Sequence, residues 1–299
     1  APSGSSESSD SRSLRWAAPN ALEDMPEDSS IPIPETNLIG GSSIIRDQAA
    51  CPFRAFIRHR LKIHELENSQ VGVTAREKGI ILHHALFQIW SKLGSSSELL
   101  KISPGDLGKI VSEALKSAFD HCERISSRNG FSFRSSRSLL CLDLEGKDCQ
   151  QKLKSWLEAE KGRSQSFRVI QAEKDYVFNL GNLRLALRPD RIDTYSDGRR
   201  IVIDYKTGNC SRNGCMGDRP AEPQLPLYSF LDSDISGVTF ASIQPKSSSF
   251  IYFGESLGLD QASQNLEQQT RGIAKDWSDL VILWKNNLLK IANAFSNGE

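Results

Sequence analysis

Two short stretches carry the residue types that phosphorus chemistry needs. They are Arg188-Pro189-Asp190-Arg191-Ile192-Asp193 and Ile203-Asp204-Tyr205-Lys206-Thr207-Gly208. In a strand, residues two apart share a face, so Asp204 and Lys206 point one way while Ile203 and Tyr205 point the other. A three-residue hairpin loop at Ser196-Asp197-Gly198 sets residue 195 against 199 and brings Asp190 directly opposite Asp204, about 5 Å away on the same face. A two-residue loop sets Asp190 against Tyr205 instead, on the wrong face, and both registers are open from the sequence. Opposed carboxylates repel each other. A divalent cation between them removes the conflict, since Mg²⁺ is typically held by one or two carboxylates with water and phosphate oxygens. A lysine on that face can stabilise charge building on a phosphorus-centred transition state or orient the attacking water. The plain alternative is an edge hairpin whose acids and lysine form surface ion pairs.

The elements that must position these residues follow from periodicity. Residues 168–178, 182–194 and 200–206 alternate or are β-branched and read as three strands; 237–244 and 249–253 read as two more. Helical spacing marks 45–63, 77–93, about 104–125 and roughly 138–161 before the strands, a short helix around 222–232 between them, and a long amphipathic helix over 261–295. Pro52 interrupts the first of these as a kink or a fresh start. That helix carries Arg46, Arg54, Arg58, Arg60 and Lys62 against Asp47 alone, which is either a solvated face or a phosphate-facing patch. Helices, then a sheet, then helices give an α/β chain with a mixed β-sheet flanked by helices and an N-terminal helical part.

The chain has 299 residues, with 37 Lys+Arg balanced by 37 Asp+Glu. A globally basic nucleic-acid coat is therefore excluded, and any such surface must be local. No apolar run approaches the roughly 18 residues that span a membrane. The first residues have neither a basic nor an apolar leader segment, and the absence of an initial Met is expected of a piece of a longer chain. Residues 1–41, rich in Ser, Pro, Glu and Asp, read as a disordered linker in which Trp16 is the one docking candidate. Six cysteines without CxxC spacing fit neither a zinc ribbon nor a disulfide scaffold, and the reducing cytoplasm is the expected compartment.

Five motifs occur in order: Cys51-Pro52-Phe53, Gly79-Ile80-Ile81-Leu82-His83, Asp190-Arg191-Ile192-Asp193, Asp204-Tyr205-Lys206-Thr207-Gly208 and Gln224-Leu225-Pro226-Leu227-Tyr228. The series resembles the PD-(D/E)xK nuclease superfamily, in particular the RecB-like domain at the C-terminus of AddB-type helicase-nuclease subunits. The resemblance implies a restriction-endonuclease-like core within a nuclease domain over 42–299, with a helical part about 43–162 and a catalytic core about 167–297. It implies His83, Asp190 and Asp204 as ligands of Mg²⁺ or Mn²⁺, joined by the Tyr205 carbonyl, and Lys206 as the catalytic lysine. Glu173 matches the upstream acid. Gln224 and Tyr228 match a QxxxY motif near the DNA and the active site, and four-residue spacing puts them on one helix face. His84 points elsewhere. Arg191 is expected beside the site as a DNA contact, Asp193 as support or phosphate contact, and Arg54 and Arg58 as DNA-binding residues of the basic helix.

The implied activity is DNA cleavage in repair or recombination, with exonuclease and endonuclease modes both open, beside a helicase subunit or helicase-like region. A non-cleaving DNA-binding or partner-docking domain is the alternative. Two features depart from the relatives. Leu187-Arg188-Pro189 stands where Gly-x-Ile is common, and the proline suggests a bulge or an edge position. Many relatives hold an iron–sulfur cluster through one early and three late cysteines. Cys51 matches the early one and no cysteine follows Cys215, so no cluster is expected in this chain.

Overall fold

A computed structural model describes residues 39–64, 72–128, 133, 139–244, 248–254 and 266–299. Trp16 and most of the expected linker lie outside the described residues. Among those described, eight strands form two sheets. β2 (Phe167–Ala172), β5 (Arg191–Tyr195), β6 (Arg200–Lys206), β7 (Ile235–Ser242) and β8 (Ser249–Gly254) make a five-stranded sheet in the order β2-β5-β6-β7-β8. The β6–β7 pairing is parallel and the others are antiparallel. β1 (Ile39–Gly40), β4 (Leu183–Leu187) and β3 (Tyr176–Leu180) make a smaller sheet in the order β1-β4-β3. The mixed α/β architecture expected from the sequence is therefore present, and a second small sheet is added to it.

Both faces of the large sheet are covered. On one side Ile201, Ile203 and Tyr205 pack with α3 (Ala75–Leu93), α4 (Ser96–Lys101), α5 (Pro104–Arg128) and α6 (Leu139–Lys161). On the other, Val202, Val238, Phe240 and Phe253 pack with α1 (Ser42–Ala50), α7 (Gln224–Tyr228), α9 (Trp277–Asn297) and the small sheet. A strand buried on both faces reads as a continuous apolar run, which explains why Ile201-Val202-Ile203 lacks alternation.

Helix ends follow local chemistry. Thr74 and Glu77 form a reciprocal capping box at the start of α3, with bonds of 3.2 and 2.8 Å, and Gly94 at φ 66° closes it in the left-handed region. The stripe Leu82, Leu86, Ile89 and Leu93 is buried, so His83 and His84 ride the margin of the helix. Pro52 opens α2 (Pro52–Ala55), a fresh helix after an extended Cys51, and a π-helical turn over Phe56–Arg60 follows. Pro at the first helical position has no bonded N–H to lose.

Three long elements expected from the sequence are split. Residues 168–178 divide between β2 and β3 at Glu173, whose φ is 54°. Residues 182–194 divide between β4 and β5 at Arg188-Pro189-Asp190, where proline ends the ladder. The last helix starts at Trp277 behind an Asp276 cap, after α8 (Leu266–Gln269) and a turn through Gly272 at φ 81°; residues 261–265 of the expected helix lie outside the described residues. Among the described residues no helix is long and apolar enough to cross a membrane.

Candidate active site

The hairpin loop is the three-residue one. Tyr195 N donates to Arg199 O at 3.0 Å, and Gly198 takes φ 87° in the turn. Arg191 pairs with Ile203, and continuing this register by one step sets Asp190 opposite Asp204. Asp190 lies just beyond the β5 ladder, after the proline, and its Oδ2 accepts from the Tyr205 N–H at 2.7 Å. The open chain end before β5 is thus fastened to β6 through the aspartate's own side chain.

A bulge brings in the third acid. β2 pairs Val169 with Asp193, but Gln171 with Ile192. The extra residue shifts the register, so that Glu173 rather than Ala172 falls against Asp190; its N–H donates to Asp190 O at 3.2 Å. Bulges re-aim side chains in this way beside functional sites. Glu173 also holds a left-handed backbone, φ 54°, which is costly for a residue with a Cβ and persists where the surroundings over-determine it.

α3 completes the group. His83 Nδ1 is 3.0 Å from Asp190 Oδ1. One ligand atom each from His83, Glu173 and Asp190 lie within 4.8 Å of one another, a spacing that suits a metal ion. Asp204 stands outside this trio. Its Oδ1 accepts from Gln224 Nε2 at 2.6 Å and from the Tyr228 hydroxyl at 3.3 Å. Its Oδ2 is buried beside Lys206 Nζ at 2.7 Å, without an aligned hydrogen bond. Lys206 donates instead to Gln224 Oε1 at 2.6 Å.

The electrostatics are those of crowded acids. Burial and the Asp190 charge raise the Asp204 pKa, against the pull of Lys206. Burial and Asp190 likewise raise Glu173. Burial alone would lower His83, but the Asp190 carboxylate 3.0 Å away and Asp204 lift it to about 9. Burial works against the Lys206 charge, yet Asp204 holds its pKa above the usual lysine value, so it is a cation at neutral pH. Neighbouring carboxylates such as Glu173 and Asp204, with raised proton affinity, fit a hard divalent cation, which relieves their repulsion better than protons do.

Tyr228 requires a correction. It lies at the site, as the motif implies, but it is buried and not placed as a DNA contact, and its hydroxyl meets Asp204, Gln224 and the Arg188 carbonyl. With Gln224 it forms a bracket that fixes Asp204 and Lys206 relative to each other.

Arg191 requires a larger one. Its guanidinium is 1% exposed and lies on the opposite face of the sheet, with Ile203 and Tyr205. It donates to both Asp193 oxygens at 2.6 Å, to Glu160 at 2.7 Å and to the Tyr205 hydroxyl at 3.1 Å, 3.9 Å from the Trp90 ring centroid. Arg163 bridges the same two acids and the Tyr195 hydroxyl. This enclosed set of two arginines and two acids offers nothing to a phosphate. Asp193 belongs to it too.

Arg54 and Arg58 converge on one buried carboxylate. Asp47 Oδ1 lies 3.2 Å from Arg54 Nε and 3.5 Å from Arg58 Nη1, and its Oδ2 lies 2.9 Å from His59 Nε2. The basic run is therefore first a counter-charge for Asp47. Cys51 is an exposed thiol. Glu160 and Arg163 escaped the sequence reading because nothing in a helix end marks a side chain that reaches a strand's far face. Arg188, 3.7 Å from Glu173, was hidden in the same way.

A family model for the PD-(D/E)XK nuclease superfamily matches residues 42–279. The chain belongs to the PD-(D/E)XK nuclease superfamily. No curated protein matched it in sequence. Nucleases of this superfamily use divalent metals, and the trio of His83, Glu173 and Asp190 is a group able to hold one.

Proposed function

We propose that the chain is a divalent-metal-dependent deoxyribonuclease. The observation that carries this reading is the meeting of His83, Glu173, Asp190, Asp204 and Lys206 at one end of the large sheet, where burial and the Asp190 charge raise the proton affinity of Glu173 and Asp204. His83, Glu173 and Asp190 would hold Mg²⁺ or Mn²⁺, with Asp204 and the Tyr205 carbonyl joining them as the motif implies. When bound, the ion supplies Lewis acidity and lowers the pKa of water.

The protein's own groups do the rest. Lys206 is cationic and anchored to Gln224, so it serves as fixed positive charge for the developing phosphorane rather than as a base. The Gln224–Tyr228 bracket keeps Asp204 from rotating away. Water attacks phosphorus in line and the P–O3′ bond breaks, leaving a 5′-phosphate and a 3′-hydroxyl, by family expectation. The five ordered motifs support a role in DNA repair or recombination next to a helicase region.

The test is cleavage of labelled linear and circular single- and double-stranded DNA with Mg²⁺, Mn²⁺ or EDTA. Asp190→Ala and Asp204→Ala should abolish cutting and weaken Mn²⁺ binding. Lys206→Ala should abolish cutting and spare Mn²⁺ binding. Three mild and equal effects would mean that the residues are only surface ion pairs. Metal-independent binding without cutting would favour a DNA-binding domain of the same fold.

A further inference from the structure

Beside the trio lies a cavity of about 540 Å³ between α3 and α5, and His83 and Glu173 form part of its wall. We propose that this cavity is a nucleotide pocket, which takes the unpaired base next to the phosphate at the acidic site; it rests on the nuclease reading and names that site's substrate as a single strand or a frayed end.

Three observations carry it. First, the wall is a fixed run of rings. His84 and His121 stack 4.1 Å apart and within 6° of parallel, and Phe87 continues the run 6.1 Å from His84. His84 Nε2 is held by Ser117 Oγ at 3.3 Å and Gln88 at 3.4 Å, so its ring plane is set before anything binds. Flat π-faces engage the face of a base, which a duplex covers with its neighbouring base pairs.

Second, Arg76 and Arg188 also line the cavity, Arg188 held in a forked pair with Asp175 at 2.7 and 3.0 Å. Cations beside a ring wall match a base followed by its phosphate. Continuity with His83 and Glu173 then places that phosphate at the acids.

Third, Gly79 lies within α3 and lines the cavity, and a Cβ built there meets no atom within 4 Å. A helix-interior glycine weakens the helix relative to alanine, and no packing contact asks for one here. Its missing side chain leaves room in the pocket.

The last point supplies the test. Gly79→Leu projects an apolar side chain into the cavity from a Cβ position that meets no atom, and it should keep or raise Tm. Binding of fluorescein-labelled single-stranded oligonucleotides to the full chain is measured by anisotropy in EDTA, with intact strands and with one abasic site moved along the strand. A base stacked on such a wall is worth roughly tenfold to a hundredfold in affinity. Gly79→Leu should cost about that factor on intact strands. In the wild type one abasic position should cost the same, and in the variant none should. Phe87→Ala should give a smaller loss in the same direction. The pocket is refuted if Gly79→Leu, with Tm retained, binds intact strands as the wild type does, or if no abasic position matters. Cleavage with Mn²⁺ is read separately. Abasic sensitivity without cutting leaves the pocket standing and removes the hydrolase; cutting with no effect of Gly79→Leu does the reverse.

Discussion

Arg191 separates two readings of one residue, a DNA contact beside the site and a buried counter-charge beneath it. Arg191→Met keeps the side chain's length and its packing on Trp90 while removing the charge. Five polar contacts vanish: two to Asp193, two to Glu160 and one to the Tyr205 hydroxyl. What remains is two enclosed carboxylates facing the single charge of Arg163. Breaking a buried ion pair by removing one partner typically costs about 3–5 kcal/mol. For a domain near this size each kcal/mol lowers Tm by about 2–4 °C, so a fall of roughly 10 °C is expected in a thermal melt. The surplus charge is the cause, so adding Glu160→Gln should recover more than half of the loss. A control at exposed Arg188 should move Tm by less than about 2 °C, as surface pairs are worth little. If Arg191→Met melts with the wild type and loses affinity for DNA, Arg191 contacts nucleic acid and the buried network has been misread.

His83 stands near 9 without metal because of Asp190 and Asp204, against its burial. It must lose its proton to become a ligand, so Mn²⁺ binding at pH 7.5 should release about one proton, and affinity should rise with pH up to about 9; calorimetry in buffers of different ionisation enthalpy reads both, and His83→Ala should abolish the release. Gln224→Ala removes the link between Lys206 and Asp204 and should lower the cleavage rate roughly 10–100-fold with little change in affinity for the strand, which kinetics at saturating and limiting DNA would separate. Asp47→Ala removes the carboxylate shared by Arg54, Arg58 and His59; since both arginines reach solvent, it should cost about 1 kcal/mol in a urea melt, with DNA cleavage at low temperature unchanged.

The fold was legible where periodicity was unbroken. α3 carries its buried stripe, its capping box and its closing glycine in plain sequence, and Ile201-Val202-Ile203 announces a strand covered on both sides. It was illegible where one residue ends an element inside an apolar run. Glu173 sits among strand-like neighbours, and only its positive φ divides β2 from β3. Pro189 was visible as a departure, but not that the chain on either side of it joins different sheets. A second sheet costs no change in local pattern, because alternation is the same whichever sheet receives the strand.

The site shows the same limit at finer scale. Strand parity puts Asp204 and Lys206 together, and a three-residue turn brings Asp190 across; both are local rules, and both operate here. Glu173 needed a bulge at Ile170, three residues upstream, to change its partner from Pro189 to Asp190, and no residue type at Ile170 signals a bulge. Arg191 fails for the opposite reason. Its parity was readable, since residue 191 must face away from 190 and toward the side of Ile203 and Tyr205, and that parity already argued against a phosphate contact. Proximity in sequence to a catalytic residue is weaker evidence than the face on which a side chain stands. The same reasoning separates His83 from His84: one step along α3 turns the ring by about 100°, from Asp190 to the stacked pair with His121, so two adjacent histidines serve one cavity from different walls.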